Sequence, residues 1–483
     1  MKRPSTIRAV RVFALLLLLA VICGAFAGCS KENSTPAVTT EAATGDNEVT
    51  YPDFGGKDFR IMFRTSYAYE FRANEGNTGD RINDAVYARN ELIQTRYNVN
   101  FRNMIYNHSW KYATLNTEFV DTLANWMNVG EDAVDLIAGY HRYVLPTVTN
   151  DWYLTWQDIP GIDLKADTWQ NGINETLTIG GNTYAITGDI ALTFWKMMSS
   201  MVFNKQLAIA LDAGNLYDVV TAGDWTLEKM MELAGRIGTS DGGAVRYGFA
   251  SDSDVAIDAF VTSFGVRTVN ISEDGNVTIN VVNDRSLKVT DKLIELYSAE
   301  YSYKDHKTEN DPSKEYFTAG NVLFNAMRFE MIERIRKLEF VYGVLPYPKL
   351  DSDQKEYYSS VTDGVSLMFV PKTVPDKELV GTITQALAEE SRTSVRPEYI
   401  ELVLKGNAAR DAQTLAMIDL IRDTVMVDPG YILNGRTGLA IRNAVRSNIG
   451  LGDKPTGLES YWEGHSEAAK ASLDKFITAY KKK

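Results

Sequence analysis

Cysteine and histidine are nearly missing from this 483-residue chain. The two cysteines, Cys23 and Cys29, both lie near the N-terminus, so the remaining sequence can form neither a disulfide nor a cysteine metal centre. Its core must stand on packing alone. The four histidines (His108, His141, His306 and His465) are scattered, which disfavours a histidine metal cluster or a His-based triad. Also absent are H-E-x-x-H, G-x-S-x-G, G-x-x-x-x-G-K-(S/T) and G-x-G-x-x-G. Ser251-Asp252-Ser253-Asp254 lacks the spacing and closing Glu of a calcium loop and reads as a loop or helix cap. Carboxylates are plentiful, but nothing in the pattern selects a catalytic pair. Positive charge is scarce too. The formal charge is −13, and without Lys2, Arg3, Arg8 and Arg11 the balance is −17, which argues against sequence-independent nucleic-acid binding. No cofactor is expected.

The longest apolar run near the start, Val12 to Cys23, has twelve residues, too few to cross a bilayer of ~30 Å comfortably. After the basic segment it fits the apolar part of a signal peptide. Phe26-Ala27-Gly28-Cys29-Ser30 then resembles a bacterial lipobox, with Phe26 where Leu is usual. The resemblance implies a lipoprotein signal over 1–28 and lipidation of Cys29; an ordinary signal peptide cut near Ala27 is the alternative. Residues 30–50, rich in Ser, Thr, Glu and Ala, read as a flexible tether.

What is abundant is apolar and aromatic: 45% hydrophobic residues, with 25 Tyr and 8 Trp, over a length that suggests two lobes. Phe59–Phe63 suits a first strand. Asp80 caps a helix running to about Tyr97, with Ile82, Val86, Ile93 and Tyr97 on one face. A strand over 98–106, a helix over 115–127 and a strand over 133–138 complete an alternation that implies parallel crossovers and an α/β lobe. Residues 177–184 read as a hairpin. It leads into a first crossover, Thr183–Lys205, with strand character at Tyr184 and Ile186, a break at Gly188-Asp189, and a buried strand from Met197 to Phe203. Beyond it, Thr226 caps a helix carrying Leu227, Met230, Met231, Ala234 and Ile237. Further helices are expected at 255–264, 286–297 and 331–338, and from Asp376 onward the pattern is almost wholly helical.

Several segments resemble the sugar-type extracellular solute-binding proteins of ABC importers. They are D-R-I-N-D-A-V-Y-A-R-N followed by R-Y-N-V, the crossover ending in Asn204-Lys205, and the W-T helix start at Trp225-Thr226. Phe317 to Phe324 (F-T-A-G-N-V-L-F) and Tyr342 to Pro348 (Y-G-V-L-P-Y-P) match in the same way, and Ser359–Lys372 looks like the third crossover. The resemblance implies an α/β, two-lobed periplasmic-binding-protein-like fold with interlobe crossovers and a helical C-terminal region. The expected lobes are 51–188 with 326–362, and 189–325 with 363–483. The implied protein is a monomeric, lipid-anchored receptor on the extracytoplasmic face of the cell membrane. It would capture a carbohydrate, an oligosaccharide above all, for ABC permease subunits and their ATPase, without catalysis, metal or nucleic acid. Rival readings are an extracellular carbohydrate-active hydrolase, or the same fold with a peptide, polyamine or polyol-phosphate cargo.

Sugar hydroxyls need multivalent partners such as Asp, Asn and Arg, and the apolar face of a pyranose stacks on Trp or Tyr. Open α/β sheets hold ligands beyond the C-terminal ends of their strands. That rule selects Arg64, Ser66 and Tyr67 after the first strand, and Tyr140, His141 and Arg142 after the third. From the crossovers it selects Asp189, Trp195, Arg328 and Asp363. Trp195 and Phe329 could equally be core, and Asp189 and Asp363 could be turn residues. Trp169, Trp225 and Trp462 are taken as structural.

Overall fold

The computed structural model describes residues 50–73, 75–107, 113–238, 240–241, 244–251, 255–272, 274–303, 312–335, 338, 340–404, 412–433, 440–449 and 457–481. The signal peptide, Cys29, nearly all of the tether, His108, His306 and 252–254 lie outside these residues. Residues 51–483 form one compact unit, to which everything below refers.

The main elements, in chain order, begin with β1 (Lys57–Arg64), α1 (Arg81–Tyr97), β2 (Val99–Tyr106), α2 (Ala113–Val129), β3 (Leu136–Tyr140) and β4 (Tyr153–Leu154). Next come α3 (Leu192–Lys196), β5 (Ser199–Asn204), α4 (Leu227–Gly235), β6 (Tyr247–Ser251), α5 (Val255–Ser263) and α6 (Asp284–Ser298). Then follow β7 (Val322–Arg328), α7 (Phe329–Ile335), β8 (Tyr342–Leu345) and β9 (Ser366–Pro371). The chain closes with α8 (Lys377–Glu390), α9 (Arg396–Leu404), α10 (Ala412–Asp423), α11 (Ala440–Arg446) and α12 (Leu458–Tyr480). Local chemistry explains the helix starts. The Asp80 carboxylate accepts the N–H groups of Ile82 and Asn83 at 3.0 and 3.1 Å, and Thr226 Oγ1 accepts that of Lys229 at 3.2 Å. The apolar face foreseen on α1 is the buried one.

Two sheets carry the architecture. The first has strand order β2-β1-β3-β9-β4, with β2 and β3 both parallel to β1. The chain leaves β1 for β2 on one side and returns past it to β3 on the other. Connections therefore diverge beside β1, and a crevice opens at the C-terminal ends of β1 and β3. The second sheet has the order β6-β7-β5-β8, mixed in direction. β5 and β9 are buried along their whole length, and their apolar residues, Met201 to Phe203 and Leu367 to Val370, run consecutively and do not alternate.

Three expectations differ from this arrangement. Tyr184 to Thr187 forms no strand; the hairpin arm ends at Thr183, and Ile186 makes a single bridge to Met368. The buried strand begins at Ser199 because Leu192–Lys196 turns into a short helix. Strand pairing also divides the chain differently from the expected 326–362 and 363–483 segments. β8 completes the second sheet beside β5, whereas β9 crosses back to pair with β3 in the first. A long run of apolar residues shows that a strand is buried, not which sheet buries it. From Lys377 onward the described residues hold helices and turns, as expected.

Candidate ligand site between the two sheets

The residues that end β1 and β3 converge with the crossovers. Arg64, the last residue of β1, is 2% exposed and lies 4.3 Å from the ring centre of Tyr67 and 4.9 Å from that of Tyr140. Its Nη2 donates to the Gly364 carbonyl and to Ser366 Oγ, both at 2.9 Å. Ser366 Oγ in turn donates to Glu70 Oε2 at 2.7 Å. Glu70 Oε1 accepts the backbone N–H and the hydroxyl of Thr193, each at 2.6 Å, and Thr193 Oγ1 accepts the Ser366 N–H at 2.9 Å. One buried carboxylate thus ties the turn after β1 to α3 and to the start of β9. Burial raises its pKa, against the three hydrogen bonds and the Arg64 charge that favour ionisation.

From the other sheet, Arg328 ends β7. It approaches Met197 Sδ at 3.7 Å and Glu330 at 3.9 Å, and its charge is felt at the Tyr67 phenol. Lys196 pairs with Glu333 at 2.9 Å, and its ammonium lies 4.6 Å from the ring centre of Tyr69 and 5.4 Å from that of Tyr399. Ser66 lies in the exposed turn immediately after β1.

Asp189 and Trp195 are brought together, but against each other. The Trp195 indole N–H donates to Asp189 Oδ1 at 3.1 Å, and Arg396 sits 4.7 Å from the Trp195 ring centre and 3.6 Å from Asp189 Oδ2. Trp195 is fully buried. Gly188 is required here, because a Cβ would collide with the Thr168 carbonyl oxygen, the atom that accepts the Asp189 N–H at 2.8 Å.

A second polar group surrounds Asp363. Arg442 Nη1 donates to Asp363 Oδ2 at 2.8 Å and its Nε to Asp258 Oδ2 at 2.9 Å, while Arg446 also binds Asp258. Burial alone would raise the Asp363 pKa, but Arg442, His141 and Arg142 hold it below the usual carboxylate value. His141 is buried, and burial depresses it to about 4, against the charge and backbone of Asp363, which favour the protonated ring. Tyr140 and Asp363 lie within each other's field.

The first group is therefore assembled from Arg64, Tyr67, Tyr140 and Arg328, with Glu70, Thr193, Ser366 and Lys196 added from outside the expected set. The second joins His141 and Asp363 to Arg442 and Asp258. No local signal marks Glu70, Thr193 or Ser366, because their partners lie 123 and 296 residues apart in sequence. Phe329 is core, as are Trp169 and Trp225. Among the described residues no group of three or more His, Cys, Asp or Glu could hold a metal, and no helix is long and apolar enough to cross a membrane.

Two sheets joined through crossovers, with polar and aromatic side chains gathered where they meet, define the two-lobed fold of solute-binding proteins. No known family description and no curated protein sequence matches the chain. Solved structures do. Maltose-bound MalE3 of T. maritima is 14% identical, over 86% of this chain and 100% of its own, with a TM-score of 0.52. The GacH receptor of Streptomyces glaucescens is 13% identical over 86% and 99%, with a TM-score of 0.55. The ABC substrate-binding protein Lmo0181 from Listeria monocytogenes, in complex with cycloalternan, is 10% identical over 87% and 99%, with a TM-score of 0.52. At these identities the likeness establishes the fold.

Proposed function

We propose that the protein is the extracytoplasmic receptor of an ABC importer, a monomer anchored to the cell membrane through lipidated Cys29. It captures an oligosaccharide between its lobes and presents the closed form to permease subunits whose ATPase drives uptake. The observation that carries this reading is the meeting of Arg64, Tyr67 and Tyr140 from the first sheet with Arg328 from the second. Such a site supplies guanidinium donors for hydroxyls and aromatic faces for pyranose rings. The structural neighbours are solved with maltose, an acarbose homolog and cycloalternan, which supports a saccharide cargo. Capture needs no chemistry from the protein. Ligand contacts with both lobes favour the closed state by their differential affinity, in a hinge motion.

A thermal-shift screen against saccharides, peptides, polyamines and polyol phosphates tests this. A ligand at 100 times its Kd adds ~2.7 kcal/mol to the folded state. A rise with one saccharide class, recovered intact, is the expected result. A saccharide recovered cleaved would make the protein a hydrolase, and a rise only with another class would overturn the carbohydrate assignment.

A further inference from the structure

Arg64 has more hydrogen-bonding capacity than the protein uses. Of its five N–H donors, those on Nη2 serve Gly364 and Ser366, whereas Nε and Nη1 are buried without any partner. Arg64 lines a small, partly open cavity of about 10 Å³ with Asn107, Asn116, Phe119, Tyr140, Tyr143 and Val144. That volume is about one water molecule, so a larger occupant requires the lining side chains to move apart. The cavity sits beyond the C-terminal ends of β1 and β3, at the point where the first sheet's connections diverge.

The charge there is unbalanced. Glu70 is the one carboxylate whose field is prominent at Arg64, and it is shared with a second fully buried guanidinium, Arg89. Arg89 is already engaged by Ser391 Oγ, the Glu70 carbonyl and Asn90 Oδ1. The Glu70 oxygens are taken by Thr193 and Ser366. Asp363, the other acid near Tyr140, is paired with Arg442. The Arg64–Glu70–Arg89 trio therefore carries +1 with Glu70 ionised and +2 with it protonated. A buried cation without a full counter-charge is costly, and a neutral hydroxyl would satisfy a donor but leave that charge.

We propose that Arg64 is the anchor for an oxyanion on the cargo, so that the saccharide captured is an acidic one, carrying a carboxylate or sulfate that accepts one of the donors the protein leaves unused, Nε–H or Nη1–H. The inference rests on the saccharide reading above and specifies its substrate class. Tyr67 and Tyr140 flank the guanidinium at 4.3 and 4.9 Å, and Tyr140 lines the cavity with it. The acidic body of the protein does not forbid an anionic ligand. At 0.1 M ionic strength exposed charges beyond about 10 Å are largely screened, and the buried excess beside the cavity is screened least.

The test is calorimetric titration of the protein at fixed salt with three probes: an oligogalacturonide, its methyl-esterified neutral counterpart and a sulfated disaccharide. Expected is binding of the carboxylate or the sulfated probe at least tenfold tighter than the neutral one, with the stronger of the two naming the oxyanion. Arg64→Gln should weaken the acidic probe by on the order of 10- to 100-fold and the neutral one by much less, with Arg64→Lys in between. Where Arg64→Gln does not fold, the acid-against-ester ratio on the unaltered protein still decides. Neutral saccharides bound as tightly as acidic ones would overturn the anion anchor and leave the receptor reading standing. No binding of any of the three probes would overturn the anion anchor, while the broader thermal-shift screen decides the receptor reading by itself.

Discussion

Arg442 reaches from α11 to Asp363 at 2.8 Å, and so fastens the helical C-terminal region to the segment that enters β9. The same guanidinium holds Asp258 on α5, so one side chain bridges two acids, sharing Asp258 with Arg446. Arg442→Ala would leave both carboxylates buried, with Arg446 the remaining partner of Asp258. The expected loss is about 3 kcal/mol or more, read as a lower urea midpoint. Arg442→Ala combined with Asp363→Asn should recover part of that loss. A midpoint unchanged in the single variant would show that the pair contributes nothing.

The Asp189–Trp195 pair separates a structural role from a binding one. Trp195 is fully buried under Arg396 and hydrogen-bonded to Asp189, so Trp195→Ala should cost about 3–5 kcal/mol through the cavity it leaves. Trp195→Phe should fold, with a smaller stability loss and ligand affinity within a few-fold of the parent. Affinity lost in Trp195→Phe while the melting temperature holds would place the indole on the ligand instead.

Ser366 links Arg64 to Glu70 through a single hydroxyl. Ser366→Ala removes the donor to a buried carboxylate and an acceptor for a buried cation. The expected cost is about 2 kcal/mol, within the range for leaving charged groups less satisfied. Ser366→Thr tests whether the hydroxyl alone suffices. Equal stability of the Ala variant and the parent would contradict the network.

His141 makes stability depend on pH with a definite sign. Its pKa is about 4 when folded and 6.5 when exposed, so between these values the unfolded chain binds more protons. The contribution of its neutral burial is fully present above about pH 6.5 and is lost as pH falls toward 4, on the order of 3 kcal/mol across the window. Glu70, Asp189 and Asp428, whose pKa values burial raises, act in the opposite sense near the acidic end. The difference between the parent and His141→Asn isolates the imidazole. It should grow in favour of the variant as pH falls from 6.5 to 4, and a flat difference would contradict the buried neutral ring.

Much of the first lobe was readable locally. Asp80 with its apolar face, and the alternation of strand and helix through Tyr140, follow from periods of a few residues, and they located Arg64 and Tyr140 at neighbouring strand ends. What was unreadable depends on contacts far along the chain. Ser366 meets Arg64 across 302 residues, Arg442 meets Asp258 across 184, and β9 chooses β3 over the second sheet. Burial of an apolar run is written in its composition, but the choice of neighbour is made by the whole fold. The strand expected at Tyr184 failed for a related reason: alternation there reflects one bridge to Met368 and contacts of Tyr184 with Tyr480, not a ladder.

The central claim, a saccharide held where the two sheets meet, is tested most directly by hydrogen–deuterium exchange with and without the saccharide found by thermal shift. The account predicts slowed exchange concentrated in the segments around 64–70, 140–144, 328–333 and 363–366, on both sides of the crevice. Exchange unchanged there, with protection elsewhere in the molecule, would contradict it.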